Sequence, residues 1–273
     1  VVENVDNSTG NIDYEGSVQI NGNVISNFEV QAKGNVIVNG VVEGAIIKAG
    51  GNVIIARGMN GMGKGRLEAG GNIIAKFLEN AEAHAEGYIQ TESILHSYVT
   101  SGNYIEVDGK HGFITGGHVI AAERLSVKTL GSEMGASTVI EVGANPKLKE
   151  EYQNLQKASA EAQKVLLSTR TIMSTYAEKK AKGVALTAEQ IEYLKSVILL
   201  DNSKKKELES ATKRIEELQE KLNIQNNAYV EVRGQVFPGA KIIIGDLSMV
   251  VQSANRACRF EKVRGNVKCI SSY

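Results

Sequence analysis

Four histidines offer the first chemistry to consider, because imidazole titrates near neutrality and ligates metals. His96 and His111 each stand six residues before a glycine, Gly102 and Gly117, and so share one phase of any repeat anchored there. On adjacent strands of a stacked sheet their rings would lie ~4.8 Å apart, a spacing suited to a metal or to a pH-sensitive pair. No third ligand accompanies them, and two surface or corner imidazoles is the simpler reading. His84, three before Gly87, and His118, one after Gly117, read as structural. Acid–base work on a polysaccharide needs carboxylates gathered on one face. Glu68, Glu92 and Asp108 fall at different phases, and Glu79 and Glu82 read as loop residues. The run Gly58-Met59-Asn60-Gly61-Met62-Gly63-Lys64-Gly65 lacks the GxxxxGK[ST] order of a phosphate cradle and reads as a flexible loop bulging from a coil. Cys258 and Cys269 match neither a disulfide framework nor a zinc spacing, and read as two reduced thiols. No catalytic residue, metal or cofactor is expected.

The elements carrying these residues follow from a repeat. Gly34, Gly51, Gly71, Gly87, Gly102 and Gly117 serve as anchors, spaced 17, 20, 16, 15 and 15 apart. Four before them stand Val30, Ile47, Leu67, Ala83, Tyr98 and Phe113, and two before stand Ala32, Ala49, Ala69, Ala85, Thr100 and Thr115. Asn35, Asn52, Asn72 and Asn103 follow four of the anchors, and an apolar residue comes next. Residues two apart face one side of a strand, so positions −4, −2 and +2 point inward. The pairs Gly34-Asn35, Gly51-Asn52, Gly71-Asn72 and Gly102-Asn103 then make corners, where glycine tolerates positive φ. Such strands bury their apolar side only by stacking coil on coil, and the asparagines can form a ladder. Coils of this length fit no hexapeptide period, and the usual crossover hand predicts a right-handed parallel β-helix.

The language changes at Asn145-Pro146, an N-cap followed by a first-turn proline. Leu148, Tyr152, Leu155, Ser159, Ala162, Leu166, Thr169, Met173 and Tyr176 step by fours and threes. The helix stops near Lys182-Gly183. Thr187 and Gln190 form a capping box for a second seam: Ile191, Leu194, Ile198, Asp201, Lys205, Leu208, Thr212, Ile215, Gln219 and Leu222. The pattern predicts an antiparallel coiled-coil hairpin with arms of roughly 50 Å. Strand alternation returns at Tyr229. The expected organisation is mainly β with an α insertion: β-helix over 1–144, hairpin over 145–227, and final coils over 228–273, with the last segment covering the open end of the stack.

The balance of 31 basic and 31 acidic residues argues against nucleic acid as a partner, and no apolar run suggests membrane insertion. The opening Val1-Val2-Glu3-Asn4, without Met or a signal pattern, reads as a piece of a longer protein.

The run Thr9-Gly10-Asn11-Ile12-Asp13-Tyr14-Glu15-Gly16-Ser17-Val18 resembles the start of the conserved region in the flagellar assembly protein A family. Gly40-Val41-Val42-Glu43-Gly44-Ala45, Ala49-Gly50-Gly51-Asn52-Val53, Lys76-Phe77-Leu78-Glu79-Asn80-Ala81 and Leu130-Gly131-Ser132 resemble it too. The resemblance spans essentially the whole chain. It implies a cytoplasmic bacterial protein of flagellar assembly or placement, in a family whose members carry a further N-terminal domain, and it supplies no catalytic residues. The function expected is a non-catalytic scaffold or regulatory protein, recruited to the cell pole, that binds soluble or polar-targeting proteins through the coiled coil or the β-helix surface. Lys204, Lys205, Lys206, Glu207, Glu216 and Glu217 are the candidate contacts. A homo-oligomer is a further option, and a polysaccharide-acting β-helix enzyme is the alternative function.

Overall fold

The structure is a computed structural model that describes residues 1–143, 146–183 and 185–271, with the backbone alone described at 146, 147, 149, 224–226 and 271. It divides into two compact units, Val1–Ala144 with Ile224–Tyr273, and Asn145–Asn223.

The first unit is a parallel β-solenoid of about 7 turns. Strand residues alternate between inside and outside, and the inward ones stack in columns. One column runs Val18, Val36, Val53, Ile73, Ile89, Ile105, Leu125 and Val230. A second runs Val5, Val24, Val42, Met59, Leu78, Ile94, Ile114, Leu130 and Val236. A third runs Val30, Ile47, Leu67, Ala83, Val99, Val119, Ile140 and Ile242. All these side chains are buried, and each large one contributes about 1.5–3 kcal/mol by leaving water. Ala32, Ala49, Ala69, Ala85, Ser101 and Ala121 fill a narrower fourth column.

Three local readings of the sequence are corrected. The repeat slips by one residue at Gly102, whose amide bonds to Ala85 O as the Gly70 amide bonds to Ala49 O, while Gly71 is followed by Gly87. Val99 and Ser101 therefore face inward, and Tyr98, 48% exposed, faces out. A one-residue slip exchanges the two faces of a strand, and the β-branched valine takes the core. Gly117 is no anchor: it lies inside the strand Phe113–Ala121, paired with Ser97. Nor is the glycine-rich run a free loop. Val53–Ala69 is one long strand that turns corners, with Gly58, Met59 and Asn60 paired to Val41, Val42 and Glu43 on one side and to Phe77, Leu78 and Glu79 on the other. Three extra residues bulge before Gly65, since Asn60 pairs with Glu79 and Gly65 with Ala81.

The final coil is edged by reversed strands. Lys241–Ile244 pairs antiparallel with Leu247–Val250, Tyr229–Val236 with Asn255–Val263, and that strand with Asn266–Ser271. Phe260, opposite Val230, is fully buried there.

The second unit is two helices, α1 (Pro146–Ala181) and α2 (Ala188–Asn226). The predicted cap Asn145 lies outside the described residues. Gly183, at φ 76°, follows the end of α1. Thr187 Oγ1 accepts the Gln190 amide at 3.3 Å, and Gln190 Oε1 accepts the Thr187 amide at 3.1 Å. The helices run antiparallel: Glu151 meets Arg214, Thr169 meets Asp201, and Tyr176 meets Tyr193. The α1 seam follows the predicted positions, with Ala162, Leu166 and Thr169 buried. The α2 seam does not. Leu194, Asp201, Leu208, Ile215 and Leu222 face α1, but the alternate positions fall one residue earlier, at Gln190, Val197, Lys204, Ala211 and Leu218. Ile191, Ile198, Lys205, Thr212 and Gln219 face solvent. Both patterns alternate fours and threes, so spacing alone could not choose, and burial of Val197, Ala211 and Leu218 decides it.

Candidate functional site

The corner glycines and asparagines form a ladder, though not an amide-to-amide one. Ser17 Oγ accepts the Asn35 backbone N–H at 3.0 Å, Asn35 Oδ1 that of Asn52 at 2.7 Å, Asn52 Oδ1 that of Asn72 at 2.8 Å, and Asn72 Oδ1 that of Tyr88 at 2.9 Å. Gly34, Gly51, Gly71 and Gly102 do not have positive φ. Glycine serves there by close approach: a Cβ on Gly51 would overlap Asn35 Oδ1. Asn103 sits beyond the ladder, shifted with Gly102. In its place the column continues as a ring stack. Tyr88 and Tyr104 lie 5.1 Å apart at 8°, the Arg124 guanidinium sits 4.3 Å from the Tyr104 ring centre, and Arg259 sits 3.7 Å from that of Tyr229. These rings already cover one another, so the stack binds coil to coil.

The histidines do not gather. His96 is aligned with Gly116, not with His111, because Leu95 pairs with Thr115 and Ser97 with Gly117. It belongs to a corner column of left-handed residues: Asn27 (φ 71°), Gly44 (49°), Asn80 (47°), His96 (46°) and Gly116 (71°). Asparagine and histidine are among the residues that tolerate this conformation. His111 lies just before the strand Phe113–Ala121. His118 is not in the asparagine column; its Nε2 lies 3.2 Å from Glu141 Oε2, and its ring packs on Tyr98. Among the described residues no three His, Cys, Asp or Glu converge as metal ligands.

Two outer grooves, each about 420 Å³, carry the remaining candidates. One includes Lys48, Glu68, His84 and Glu86. His84 Nδ1 lies 2.6 Å from Thr100 Oγ1, and Nε2 lies 3.2 Å from Glu86 Oε1. The order hydroxyl, imidazole, carboxylate is that of a nucleophilic triad, but an oxyanion needs free donors nearby. The local amides are engaged between coils: Glu86 to Ala69 O, Gly87 to Gly71 O, and Gly102 to Ala85 O. The second groove includes Glu92 and Asp108. Asp108 lies 3.5 Å from Lys128 and 3.4 Å from Arg233. A hydrogen bond from the Gly109 amide, helped by these cations, holds its carboxyl below the usual range. It stays ionised at neutral pH and cannot serve there as a general acid. At the far end of the chain, burial and the neighbouring Cys269 push the Cys258 thiol up to about 12, leaving it unreactive.

The charged candidates on the hairpin are mostly engaged. Lys204 pairs with Glu207 at 2.7 Å, Lys205 with Asp201 at 2.7 Å, and Glu217 with Arg214 at 3.1 Å. Lys206 and Glu216 are exposed. At mid-length a polar layer is buried: Asp201 Oδ1 accepts the Thr169 hydroxyl at 2.6 Å. What the seam reading missed is apolar surface. Ile191, Ile198, Leu199 and Leu200 on α2 and Leu167 on α1 are exposed. The signal was the unbroken run Val197-Ile198-Leu199-Leu200, which no single seam can absorb.

No described helix is long and apolar enough to cross a membrane. The family model described as the flagellar assembly protein A (FapA) β-solenoid domain matches residues 1–267. No curated protein and no solved structure matches.

Proposed function

The chain belongs to the flagellar assembly protein A family, a family of flagellar assembly, and from that premise we propose that it acts as a non-catalytic scaffold that binds partner proteins through its helical hairpin. The observation that carries this reading is the exposed run Ile198-Leu199-Leu200, since contiguous exposed apolar surface marks interaction sites. The solenoid offers a contrast: several of its outer charges are matched locally, as in Glu29 with Lys48 and Arg66 with Glu68 and Glu82. Glu92 and Asp108 do share one groove, but Asp108 is engaged by Lys128 and Arg233 and held ionised, so that pair lacks the protonated acid that glycoside hydrolysis requires. The reading places the protein in the cytoplasm, recruited to the pole with its partners. The test is swimming motility and flagellar placement in a bacterium whose own copy has residues 146–226 replaced by a short Gly-Ser bridge. Loss of motility with a solenoid that still melts cooperatively is the expected result. Full motility would remove the hairpin from the function, and polysaccharide cleavage by the bridged protein would favour an enzyme.

A further inference from the structure

We infer that a second copy of this chain covers the outer face of α2, in an antiparallel pairing whose two-fold axis passes through Leu199. At 100° per residue the four apolar residues Val197 to Leu200 encircle the helix. Val197 is buried in the seam, while Ile198 and Leu200 remain exposed and Leu199 is 71% exposed. A helix apolar all round is ordinarily enclosed, and α1 encloses one side only.

The face opposite the seam reads Glu192, Ser196, Leu199, Ser203 and Lys206, stepping by four, three, four and three. Its charges are antisymmetric about Leu199, with Glu192 seven residues before and Lys206 seven after. Reversing a second copy on this axis sets Glu192 of each against Lys206 of the other and Leu199 against Leu199, with the small serines between. A two-fold interface must be complementary to itself, and this stripe is. Both charges are exposed, and neither makes an ion pair with another described residue. The paired segment, Glu192 to Lys206, spans about 21 Å. This inference takes the hairpin as the binding element, as proposed above, but its readout is mass rather than motility, so either can fail without the other.

The test is sedimentation equilibrium of the whole chain over a concentration series, with helical circular dichroism as a control for folding. The expected mass rises from 29.4 kDa toward twice that value. Leu199→Asp should abolish the rise. Glu192→Lys and Lys206→Glu should each weaken association about tenfold, since each reversal alters two symmetric contacts. The double variant E192K/K206E should recover most of it. A single mass at every concentration, a dimer indifferent to Leu199→Asp, or a double variant no better than its parents would each overturn the pairing.

Discussion

The solenoid and the hairpin treat their polar residues in opposite ways. In the solenoid each corner repeats its neighbour, and a polar side chain such as Asn52 is held by bonding the next coil's backbone, whatever residue stands there. In the hairpin the buried polar layer is singular: Asp201 bonds Thr169 and Lys205, and among the described residues no other layer repeats the arrangement. Repetition tolerates a local defect because adjacent coils carry the same contact. A singular layer tolerates none, and it fixes the one register in which two helices can meet. The hairpin also leaves apolar surface uncovered, while the solenoid's apolar columns are closed.

Five substitutions and a pH series would break or sharpen this contrast. The largest expected effect is Leu67→Ala, a fully buried position, which should destabilise the solenoid by about 2–5 kcal/mol in urea unfolding. Ala69→Phe should cost about 1–3 kcal/mol by overfilling the narrow column, and a neutral result would place Ala69 outside it. Asn52→Ala should cost about 1 kcal/mol, the worth of one hydrogen bond to a backbone amide, and a loss several times larger would show that the ladder does not act rung by rung. In the hairpin, hydrogen bonds from Lys205 and then Thr169 hold the Asp201 carboxyl below its ordinary range. A depressed folded value means stability that is complete above the unfolded carboxyl's value of about 4 and lost as pH falls through the lower folded one. Helical melting should therefore drop below about pH 4, and Asp201→Leu should remove that drop. Least of all, Lys48→Met should leave the solenoid's melting temperature nearly unchanged, because its pair with Glu29 is half-open to solvent, where an ion pair contributes little.

The coil architecture was legible because Val30, Ile47 and Leu67 recur with Ala32, Ala49 and Ala69 two residues on, a strand period that leaves one choice of face. Legibility failed where chemistry varied at a fixed position. Asn27, Asn80 and His96 share one left-handed corner; the simpler reading of His96 as a corner imidazole holds, but no common residue type announces which corner. At Tyr98-Val99 two apolar neighbours offered both phases, and the larger ring was the wrong guide. On α2 the same ambiguity lay between Val197 and Ile198. The exposed apolar run was visible throughout, but the outward stripe could be read only once the inward one was fixed.

The insertion point has a kinetic consequence. Elsewhere in the stack a strand meets its predecessor across 16 to 21 residues of chain, as Ile105 meets Ile89, Val36 meets Val18 and Ile140 meets Val119. Arg124 meets Tyr229 across 105. Closing the longer segment as a flexible loop costs about 1.5 kcal/mol more than closing a 20-residue one, and slow folding follows distant pairing. The hairpin removes most of that penalty if it forms first, because its own local contacts draw Glu151 and Arg214 together. The helices then act as a chain-shortening clamp, and the last coil should dock only after they have closed.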